Sequence, residues 1–524
     1  MRTAMAMGMI DVGTLYSYSY LRVVVAAAIG LVSIYAVVEY VANGLRKLPP
    51  GPRGLPILGN LLDVGSNPHQ SLYRLSQRYG DLMHLKLGAR DMVVASSVRA
   101  ATAILKTYDH MLCNRPDAGL AFDIMTYNRS NITMGPDWHL LRKVCHLPMF
   151  SAASLEKWQL VREGEIASVI ASIFHLHQLG KPADIAELAH AFTLNIIGQM
   201  VFHTRIGDKQ EAFQFKRDVD HFLQLFGGFR IGDFVPFLSW TNLGGSPTEM
   251  HEVLRLIDDY FVKKLHELEQ NNHKEKALIQ VLQAQAEEGR ISDVNVKGIV
   301  LDILLAGTDT ASKTIEWAMT ELIRHPEVMQ RLQEEIDGVV GEQEMTVRES
   351  HLGRMKYLKA VLKETLRLHP PTPLMLPHAV PPEGCCPVLG YTIPKGSRVV
   401  VNVWAVGRDP LRWKDPLKFD PARFMEDPID VLHAQDFGVI PFGAGRRMCP
   451  GRNLGFRMVE LAIASLVHAF QWSLPMGENP KDLDMSEVFG LSVSKAVSLQ
   501  VLATPRLLPH LYPYNYGYLF ADEK

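Results

Sequence analysis

The longest uninterrupted run of hydrophobic residues lies near the N-terminus. Residues 23–38 contain no charged side chain, and apolar neighbours extend the run to about 20 residues, the length of a helix that crosses a bilayer core. Tyr20 and Tyr40 stand at its two ends, where aromatic side chains suit the membrane interfaces. We therefore predict a transmembrane anchor helix over residues 21–42, after a short tail at residues 1–20.

The basic residues around this run predict its orientation. Arg46, Lys47 and Arg53 follow the run, whereas Arg2 lies far upstream of it. Because positively charged flanks stay on the cytosolic side, we expect the tail in the lumen and the rest of the chain in the cytosol. A cleaved signal peptide is the alternative, but the run is long for one and no A-x-A cleavage site ends it.

Proline and glycine residues punctuate the chain directly after the anchor. They are dense through residues 43–60 and predict a semi-rigid neck, since proline cannot continue a helix. Beyond the neck the sequence shows no second linker, internal repeat or low-complexity segment. Residues 61–524 are therefore predicted to form one domain.

The hydrophobic pattern of this domain is mostly helical, above all between residues 155 and 369. Short strand-like runs lie beside turn residues at 82–87, 92–95 and 399–403. The predicted fold class is mainly α with a small β part.

One predicted helix is long enough to traverse the whole domain. Ser292 is a suitable cap for it, and the pattern continues until His325 and Pro326. Residues 306–310 (AGTDT) place Asp309 and Thr310 in its apolar middle, where polar groups are costly. Either Thr310 bonds the carbonyl four residues before it and bends the helix, or a small ligand lies against the helix and the pair handles protons.

A second helix is predicted from residue 357 to residue 369, before two prolines. Glu364 and Arg367 are three residues apart and share one face of it. Taken alone, such a pair is usually a surface ion pair of little energetic weight.

Composition narrows the function. The chain has 54 Lys and Arg against 56 Asp and Glu, a net charge of −2, so no global basic excess indicates nucleic acid. Its five cysteines include no CxxC pair, which argues against a disulfide framework and a zinc ribbon.

The most informative segment is residues 441–451, PFGAGRRMCPG. Its glycines do not form a dinucleotide fingerprint, because Met448 takes the place of the third glycine. Glycines on both sides of Cys449 instead let backbone approach a flat object closely, and the neighbouring arginines favour a thiolate. The alternative for Cys449 is an ordinary buried thiol.

This segment resembles the haem-binding signature of the cytochrome P450 monooxygenases. Phe442, Gly445, Arg447, Cys449 and Gly451 match its fixed positions. Four further segments resemble motifs of the same family in the same order, namely Trp138-x-x-x-Arg142, residues 306–310, Glu364-x-x-Arg367 and residues 421–424 (PARF). The anchor and neck resemble the microsomal branch, and the C-terminal third resembles the large plant branch.

The resemblance implies the cytochrome P450 fold and a role for individual residues. Cys449 is expected to be the axial ligand of haem iron, a thiolate that favours O–O cleavage. Asp309 and Thr310 are expected to be catalytic, supplying protons so that water rather than peroxide leaves. The expected haem contacts are Trp138, Arg142, His378, Arg447, Phe442 and Gly443, although many relatives have Arg at the position of His378. Glu364, Arg367 and Arg423 resemble the family's structural triad.

The family's substrate pocket maps onto four windows, residues 122–126, 301–305, 372–376 and 489–491. The residues expected to line it are Phe122, Ile124, Leu305, Ala306, Thr372, Leu374, Met375, Phe489 and Leu491. Most are apolar, which suits a flat aromatic substrate, and Thr372 and Thr126 are candidates to orient a phenol or ester oxygen.

The sequence has no flavin or nicotinamide site of its own. The resemblance implies haem b, dioxygen and electrons from NADPH through a partner, NADPH–cytochrome reductase. We expect this partner to dock on a basic face with Lys143, Arg446 or Arg452, at the endoplasmic reticulum membrane.

The expected reaction is meta-hydroxylation of a phenolic ring, ortho to an existing oxygen, in a phenylpropanoid lignin precursor. A flavonoid B-ring is the first alternative, and a fatty acid or terpenoid the second. A haem protein without oxygen chemistry is the distant alternative, because it would not need Asp309 and Thr310.

Overall fold

The computed structural model describes residues 47–512 apart from 118, 207–209, 228–229, 242–244, 271–275, 342–345 and 382–383, together with Val23 and Gly30. The lumenal tail and nearly all of the anchor helix expected from the sequence therefore lie outside the described residues.

Helices make up most of the described chain, in agreement with the predicted class. In chain order they are α1 (Leu61–Val64), α2 (Pro68–Tyr79), α3 (Val98–Thr102), α4 (Asp109–Leu112), α5 (Leu120–Met125), α6 (Trp138–Cys145), α7 (Ala152–Lys157), α8 (Gln159–Gln178), α9 (Ile185–Phe202), α10 (Gln210–Gly227), α11 (Ile231–Phe234), α12 (Pro247–Gln270), α13 (Leu278–Glu287), α14 (Asp293–Arg324), α15 (Pro326–Val340), α16 (Glu349–Leu352), α17 (Lys356–Leu368), α18 (Val403–Val406), α19 (Arg423–Glu426) and α20 (Arg452–Ala469).

The strands are short and lie in small sheets. They are β1 (Leu82–Leu87), β2 (Arg90–Ala95), β3 (Ala183–Asp184), β4 (His378–Ala379), β5 (Cys386–Val388), β6 (Tyr391–Ile393), β7 (Arg398–Val401), β8 (Phe470–Ser473), β9 (Glu487–Val488), β10 (Ser494–Lys495) and β11 (Gln500–Pro505). One sheet has the order β1-β2-β7-β4 with β2 and β7 parallel, another has the order β3-β11-β8, and β5-β6 and β9-β10 are antiparallel hairpins.

The long helix predicted through the domain is α14, and its predicted limits are confirmed. Ser292 accepts a hydrogen bond from the Asn295 backbone N–H, and the Asn295 side chain accepts one from the Ser292 N–H, so a capping box starts the helix. The helix ends at Arg324, directly before His325 and Pro326. Most of its side chains are buried between α9 on one side and α20 on the other.

Helix α9 shows how closely this centre is packed. By length and composition it is the one helix among the described residues that is apolar enough to cross a membrane, but 72% of it is buried inside the domain. It approaches α14 at Gly307, where an added Cβ would lie 2.9 Å from Ile197 Cδ1. The small residue at 307 therefore serves helix packing, and the Thr193 hydroxyl bonds the Thr308 carbonyl at 3.1 Å beside it.

The described part of the expected neck is not a free linker. The His84 N–H donates to the Pro50 carbonyl at 2.9 Å, and the Asn60 N–H donates to the Lys86 carbonyl at 2.5 Å. An added Cβ at Gly51 would lie 1.8 Å from the His84 carbonyl oxygen. Residues 47–60 therefore pack along β1.

Candidate active site

A cavity of about 350 Å³ lies at the centre of the domain. Helix α14 forms one wall with Ala306, Asp309 and Thr310, and the loop around Cys449 forms another. The lining is mainly apolar, so polar groups that do reach it stand out as candidates for chemistry or orientation.

The loop before Cys449 depends on two glycines. Gly443 and Gly445 have φ of 71° and 69°, in the left-handed region that glycine adopts at little cost. At Gly445 an added Cβ would also lie 2.5 Å from Asp109 Oδ1 and 2.6 Å from the Leu105 carbonyl. The Cys449 N–H donates to the Phe442 carbonyl at 2.9 Å, which closes the loop and keeps Cys449 on the cavity wall.

The surroundings of Cys449 act on the pKa of its thiol in opposite directions. Burial raises the pKa of its thiol, while a hydrogen bond from the Gly451 N–H and the charges of Arg142 and Arg452 lower it. The raised pKa means that these groups alone do not hold a thiolate, whereas a metal cation at the sulfur deprotonates a thiol outright.

One edge of the cavity is basic. The Arg447 guanidinium lies 4.0 Å from the centre of the Trp138 ring, and its Nε donates to the Cys113 carbonyl at 2.8 Å. Arg142 donates to the Met448 carbonyl at 2.5 Å, which ties α6 to the Cys449 loop. The structure thus brings the predicted residues Trp138, Arg142 and Arg447 together around the cavity.

Sequence reasoning missed Arg115 at this edge. Its Nη1 donates to the Leu376 and Pro377 carbonyls, both at 2.8 Å, and its Nε donates to the Thr133 carbonyl at 3.1 Å. Burial and the nearby Arg447 lower the pKa of Arg115 to about 9. The signal for it was weak, a single Arg-Pro pair after Cys113.

These arginines fit a haem. Within the described residues no carboxylate pairs with Arg115 or Arg447, although both line the cavity and burial lowers the pKa of Arg447 to about 10. Two partly buried guanidiniums without a carboxylate partner among the described residues suit the two carboxylates of a protoporphyrin. The basic edge therefore offers cations for the porphyrin carboxylates, and the Cys449 wall offers a sulfur ligand for the iron.

His378 was expected to contact the haem at a position where many relatives have Arg, and in the structure it lines the cavity as a neutral side chain. Its Nδ1 donates to the Leu112 carbonyl at 2.7 Å, and burial together with Arg115 and Arg447 lowers its pKa to about 3. Because this pKa lies far below neutrality, His378 stays neutral at physiological pH, and only Nε2 remains to accept a hydrogen bond.

On the opposite wall, the expected catalytic pair lies on α14. The Thr310 hydroxyl donates to the Ala306 carbonyl at 2.8 Å, the local bond that the sequence offered as an alternative to a functional role. The Asp309 carboxylate is bound by Lys313 and Ser492. Thr310 and Asp309 both line the cavity, but no hydrogen bond joins their side chains in the described structure.

The triad residues meet behind the cavity. Arg367 donates to both oxygens of Glu364, at 2.7 and 2.8 Å, and Arg423 Nε donates to Glu364 Oε1 at 3.1 Å. The side chains of Glu364 and Arg367 are fully buried, so the surface-pair interpretation of this motif is wrong.

Four of the expected pocket residues are corrected by the structure. Leu305, Ala306, Thr372, Met375 and Leu491 line the cavity, whereas Phe122, Ile124, Leu374 and Phe489 do not. Phe122 packs on Phe226 and Phe489 stacks on His69, with ring centres 4.6 and 5.8 Å apart. Ile124 belongs to the main hydrophobic core, and Leu374 packs against the cluster under β1 and β2.

Other lining residues escaped the sequence analysis. Phe222 and Phe226 reach the cavity from α10, and Asp302 reaches it from α14. Asp302 accepts hydrogen bonds from Asn131 Nδ2 at 2.9 Å and the Thr133 N–H at 3.0 Å, and burial raises its pKa to about 6. Its spacing four residues before Ala306 was the signal that could have found it, since both lie on one helix face.

A cysteine that lines one cavity together with an acid, a threonine and arginines that pair with no carboxylate in the described part of the chain is the arrangement of a haem-thiolate protein. The sequence comparisons then place it. The chain belongs to the cytochrome P450 family, because the family model described as Cytochrome P450 matches residues 49–501. It is a cytochrome P450 monooxygenase, and it uses haem b, dioxygen and electrons derived from NADPH.

Curated relatives cover nearly the whole chain. The chain is 42% identical to flavonoid 3'-monooxygenase CYP75B137 of Crocosmia x crocosmiiflora, over 89% of this chain and 94% of that one. It is 41% identical to flavonoid 3'-monooxygenase of Petunia hybrida, over 89% and 93%. It is 38% identical to flavonoid 3',5'-hydroxylase of Solanum melongena, over 93% and 97%.

Solved structures share the fold. A zebra fish cytochrome P450 with abiraterone superposes with a TM-score of 0.69 at 24% identity, covering 84% of this chain and 100% of that chain. The fold expected from the resemblance, mainly helical with small sheets, is confirmed.

Proposed function

We propose that this monooxygenase hydroxylates the B-ring of a flavonoid, next to an existing phenolic oxygen. The observation that carries the proposal is the similarity of almost the whole chain to flavonoid 3'-monooxygenases and 3',5'-hydroxylases. This was the alternative in the sequence analysis. The lignin-precursor substrate expected first is not supported by these relatives and takes second place.

The cavity is suited to such a substrate. Phe222, Phe226 and Leu491 offer apolar surface to a flat ring system. Thr372 lines the cavity and is the hydroxyl that we propose binds a phenolic oxygen. Thr126 is less suited to this role, because its hydroxyl donates to the Phe122 carbonyl at 2.5 Å and accepts from the Arg129 N–H at 3.1 Å.

The haem supplies the oxygen-activating iron when it is bound. We propose that Cys449 would supply the sulfur ligand of its iron, that Phe442 and Gly443 would pack beside that sulfur, and that Arg115, Arg142 and Arg447 would hold its carboxylates beside Trp138. His378, which is neutral and has only Nε2 left as an acceptor, would contact the porphyrin without binding a carboxylate. Thr310 and Asp309, on the α14 wall of the cavity, would hold and deliver protons. Glu364, Arg367 and Arg423 fix the backbone behind the Cys449 loop.

Binding spectra distinguish the candidate substrates. We expect naringenin to produce the low-spin to high-spin shift of the Soret band and to give a product hydroxylated beside its phenol. Coumaroyl and coniferyl compounds should bind more weakly, and laurate weakest. Thr372→Val should weaken naringenin binding roughly fivefold, the effect of about 1 kcal/mol for one hydrogen bond. Tight binding and turnover of laurate or of coniferyl compounds alone would contradict the flavonoid proposal.

We propose that the chain is anchored in the endoplasmic reticulum membrane, with residues 1–20 lumenal, 21–42 spanning, 43–60 as the neck and 61–524 cytosolic. The uncharged run and the basic residues after it support this topology. Because residues 47–60 pack on β1, we propose that the anchor joins the domain close to this sheet.

The electron donor that we propose is NADPH–cytochrome reductase, bound at a basic face beside Cys449. Lys143 and the Arg446 side chain are exposed there, and Arg452 donates to the Cys449 carbonyl at 3.3 Å. A cationic patch this close to the iron ligand suits an acidic partner that delivers electrons.

Charge reversal at this face should slow electron transfer. We expect Lys143→Glu to lower the reductase-limited rate several-fold at low salt and to flatten its dependence on ionic strength. Lys181→Glu, an exposed lysine before β3, is the control and should behave like the wild type. Equal effects of the two substitutions would place the docking surface elsewhere.

A further inference from the structure

The Asp309 carboxylate is held at the cavity wall by two side chains that no motif predicted. Lys313 Nζ lies 2.8 Å from Asp309 Oδ1 and 2.9 Å from Oδ2. The Ser492 hydroxyl donates to Oδ2 and accepts from Lys313 Nζ. Both carboxylate oxygens therefore have partners, and the three side chains form one closed hydrogen-bonded cluster.

We propose that Lys313 and Ser492 are positioning residues that hold the Asp309 carboxylate in place and connect it to solvent. The proposal rests on the proposed function, in which Asp309 delivers protons beside Thr310. It adds the route by which those protons reach Asp309 and names the groups that keep the route intact.

The exposure of the three side chains supports a route through Lys313. The Lys313 side chain is 20% exposed against 11% for the Asp309 side chain, and Ser492 as a residue is only 4% exposed. Within the cluster Lys313 is thus the member that reaches water. A proton can pass along Lys313 N–H to Ser492 Oγ and from the Ser492 O–H to Asp309, and the ammonium is restored from water.

The position of Ser492 is fixed independently of Asp309. Ser492 lies between β9 and β10, and Glu487 in β9 accepts hydrogen bonds from His69 Nε2 and Gln70 Nε2 of α2, both at 2.7 Å. The adjacent Val493 N–H donates to the Pro371 carbonyl at 2.8 Å. These contacts hold the Ser492 hydroxyl against α14 rather than leaving it to follow the carboxylate.

The Lys313 ammonium interacts mainly with Asp309 rather than equally with Asp309 and Glu316. Glu316 is the next acid on the same helix face, and it accepts a hydrogen bond from the Leu499 N–H at 3.2 Å. Burial raises the pKa of Glu316 to about 7, so near neutrality it is only partly ionised. Asp309 is therefore the main anionic partner of the Lys313 ammonium.

The test measures how many NADPH electrons appear in hydroxylated product and how many in peroxide. We expect Lys313→Met to lower this coupling roughly tenfold, the scale on which supporting contacts affect a functional group. Ser492→Ala should lower it less, and Lys313→Arg should restore most of it. Haem content and the substrate-induced spin shift should stay as in the wild type.

Infrared spectroscopy of the reduced carbon monoxide complex gives a readout that does not depend on turnover. The C–O stretch reports the electric field beside Asp309, so Lys313→Met should shift it. Lys297→Met is the matched control, since Lys297 also lies on α14 and pairs with Asp258 at 2.8 Å. It should change neither the C–O stretch nor the coupling.

Asp309→Asn separates this proposal from the one on which it rests. If Asp309→Asn keeps full coupling, Asp309 does not deliver protons and both proposals fail. If Asp309→Asn uncouples the enzyme while Lys313→Met and Ser492→Ala match the wild type in coupling and C–O stretch, the positioning role alone is overturned. Ser492→Ala removes only one hydroxyl, so it decides the question even if Lys313→Met folds poorly.

Discussion

We expect Cys449→Ala to lose nearly all bound haem and all hydroxylation. Cys449 lies on the cavity wall beside the basic edge, and its backbone is fixed by the bond to the Phe442 carbonyl. Alanine offers no iron ligand, so the porphyrin would be held only through its carboxylates and apolar contacts. The measurement is the Soret band of the reduced carbon monoxide complex, which is strongly red-shifted when a thiolate ligates the iron.

The other cysteines cannot take over this role. Among the described residues, Cys449 is the one cysteine that lines the cavity. Cys145 and Cys386 are buried in hydrophobic core clusters and do not line the cavity, so neither sulfur can reach a group bound there. Cys385→Ala, at an exposed position, is the control and should keep the full spectrum. A red-shifted band that persisted in Cys449→Ala would mean that the ligand had been assigned to the wrong residue.

Helix limits, strands and loops that depend on neighbouring residues in the sequence could be predicted well. The limits of α14 follow from the Ser292 cap and from Pro326, and both signals lie within a few residues of the helix ends. The prediction of β1 at residues 82–87 is confirmed for the same reason, since an alternating run is bounded by turn residues. The Cys449 loop depends on glycines that its own segment contains.

Features that depend on contacts between distant segments could not be predicted. Arg115 donates to Leu376, 261 residues away, and Lys313 meets Ser492 across 179 residues. Nothing beside Arg115 in the sequence indicates that carbonyls of another segment will surround it. Lys313 did carry a local signal, because it stands four residues after Asp309 on one helix face.

The pocket windows show a limit of a different kind. Residues 372–376 do reach the cavity, yet Leu374 points into another cluster while Thr372 and Met375 line the wall. In irregular backbone no fixed period tells which side chains face inward, as it does in a helix or strand. Met375 has φ of 52°, and such a local reversal cannot be inferred from hydrophobicity.

The second large effect is expected from the buried triad. Glu364→Gln should lower the free energy of unfolding by roughly 3–5 kcal/mol, the usual cost of removing one partner from a buried ion pair. The reason is that Arg367 and Arg423 would keep their charges while their shared carboxylate became an amide. The NH₂ group of the glutamine would itself be a donor. It would face the N–H groups of Arg367 or Arg423, which now donate to the Glu364 oxygens at 2.7 and 3.1 Å.

The loss should extend to the haem site. Arg367 also donates to the carbonyls of Gly407, Pro416 and Lys418, so Glu364 orders the segment that precedes the Cys449 loop. We therefore expect Glu364→Gln to shorten the lifetime of the red-shifted carbon monoxide band on heating, with haem lost as the fold opens. The midpoint of that loss and the midpoint of urea unfolding measure the effect.

An exposed ion pair of the same type is the control for Glu364→Gln. Arg255 and Asp259 are four residues apart on α12 at 3.0 Å, with side chains 63% and 65% exposed. Asp259→Asn should cost only about 0.3–0.5 kcal/mol, because water screens such pairs. If Glu364→Gln cost no more than Asp259→Asn, the triad would not stabilise the fold, and the packing of α17 against residues 407–423 would have to rest on other contacts.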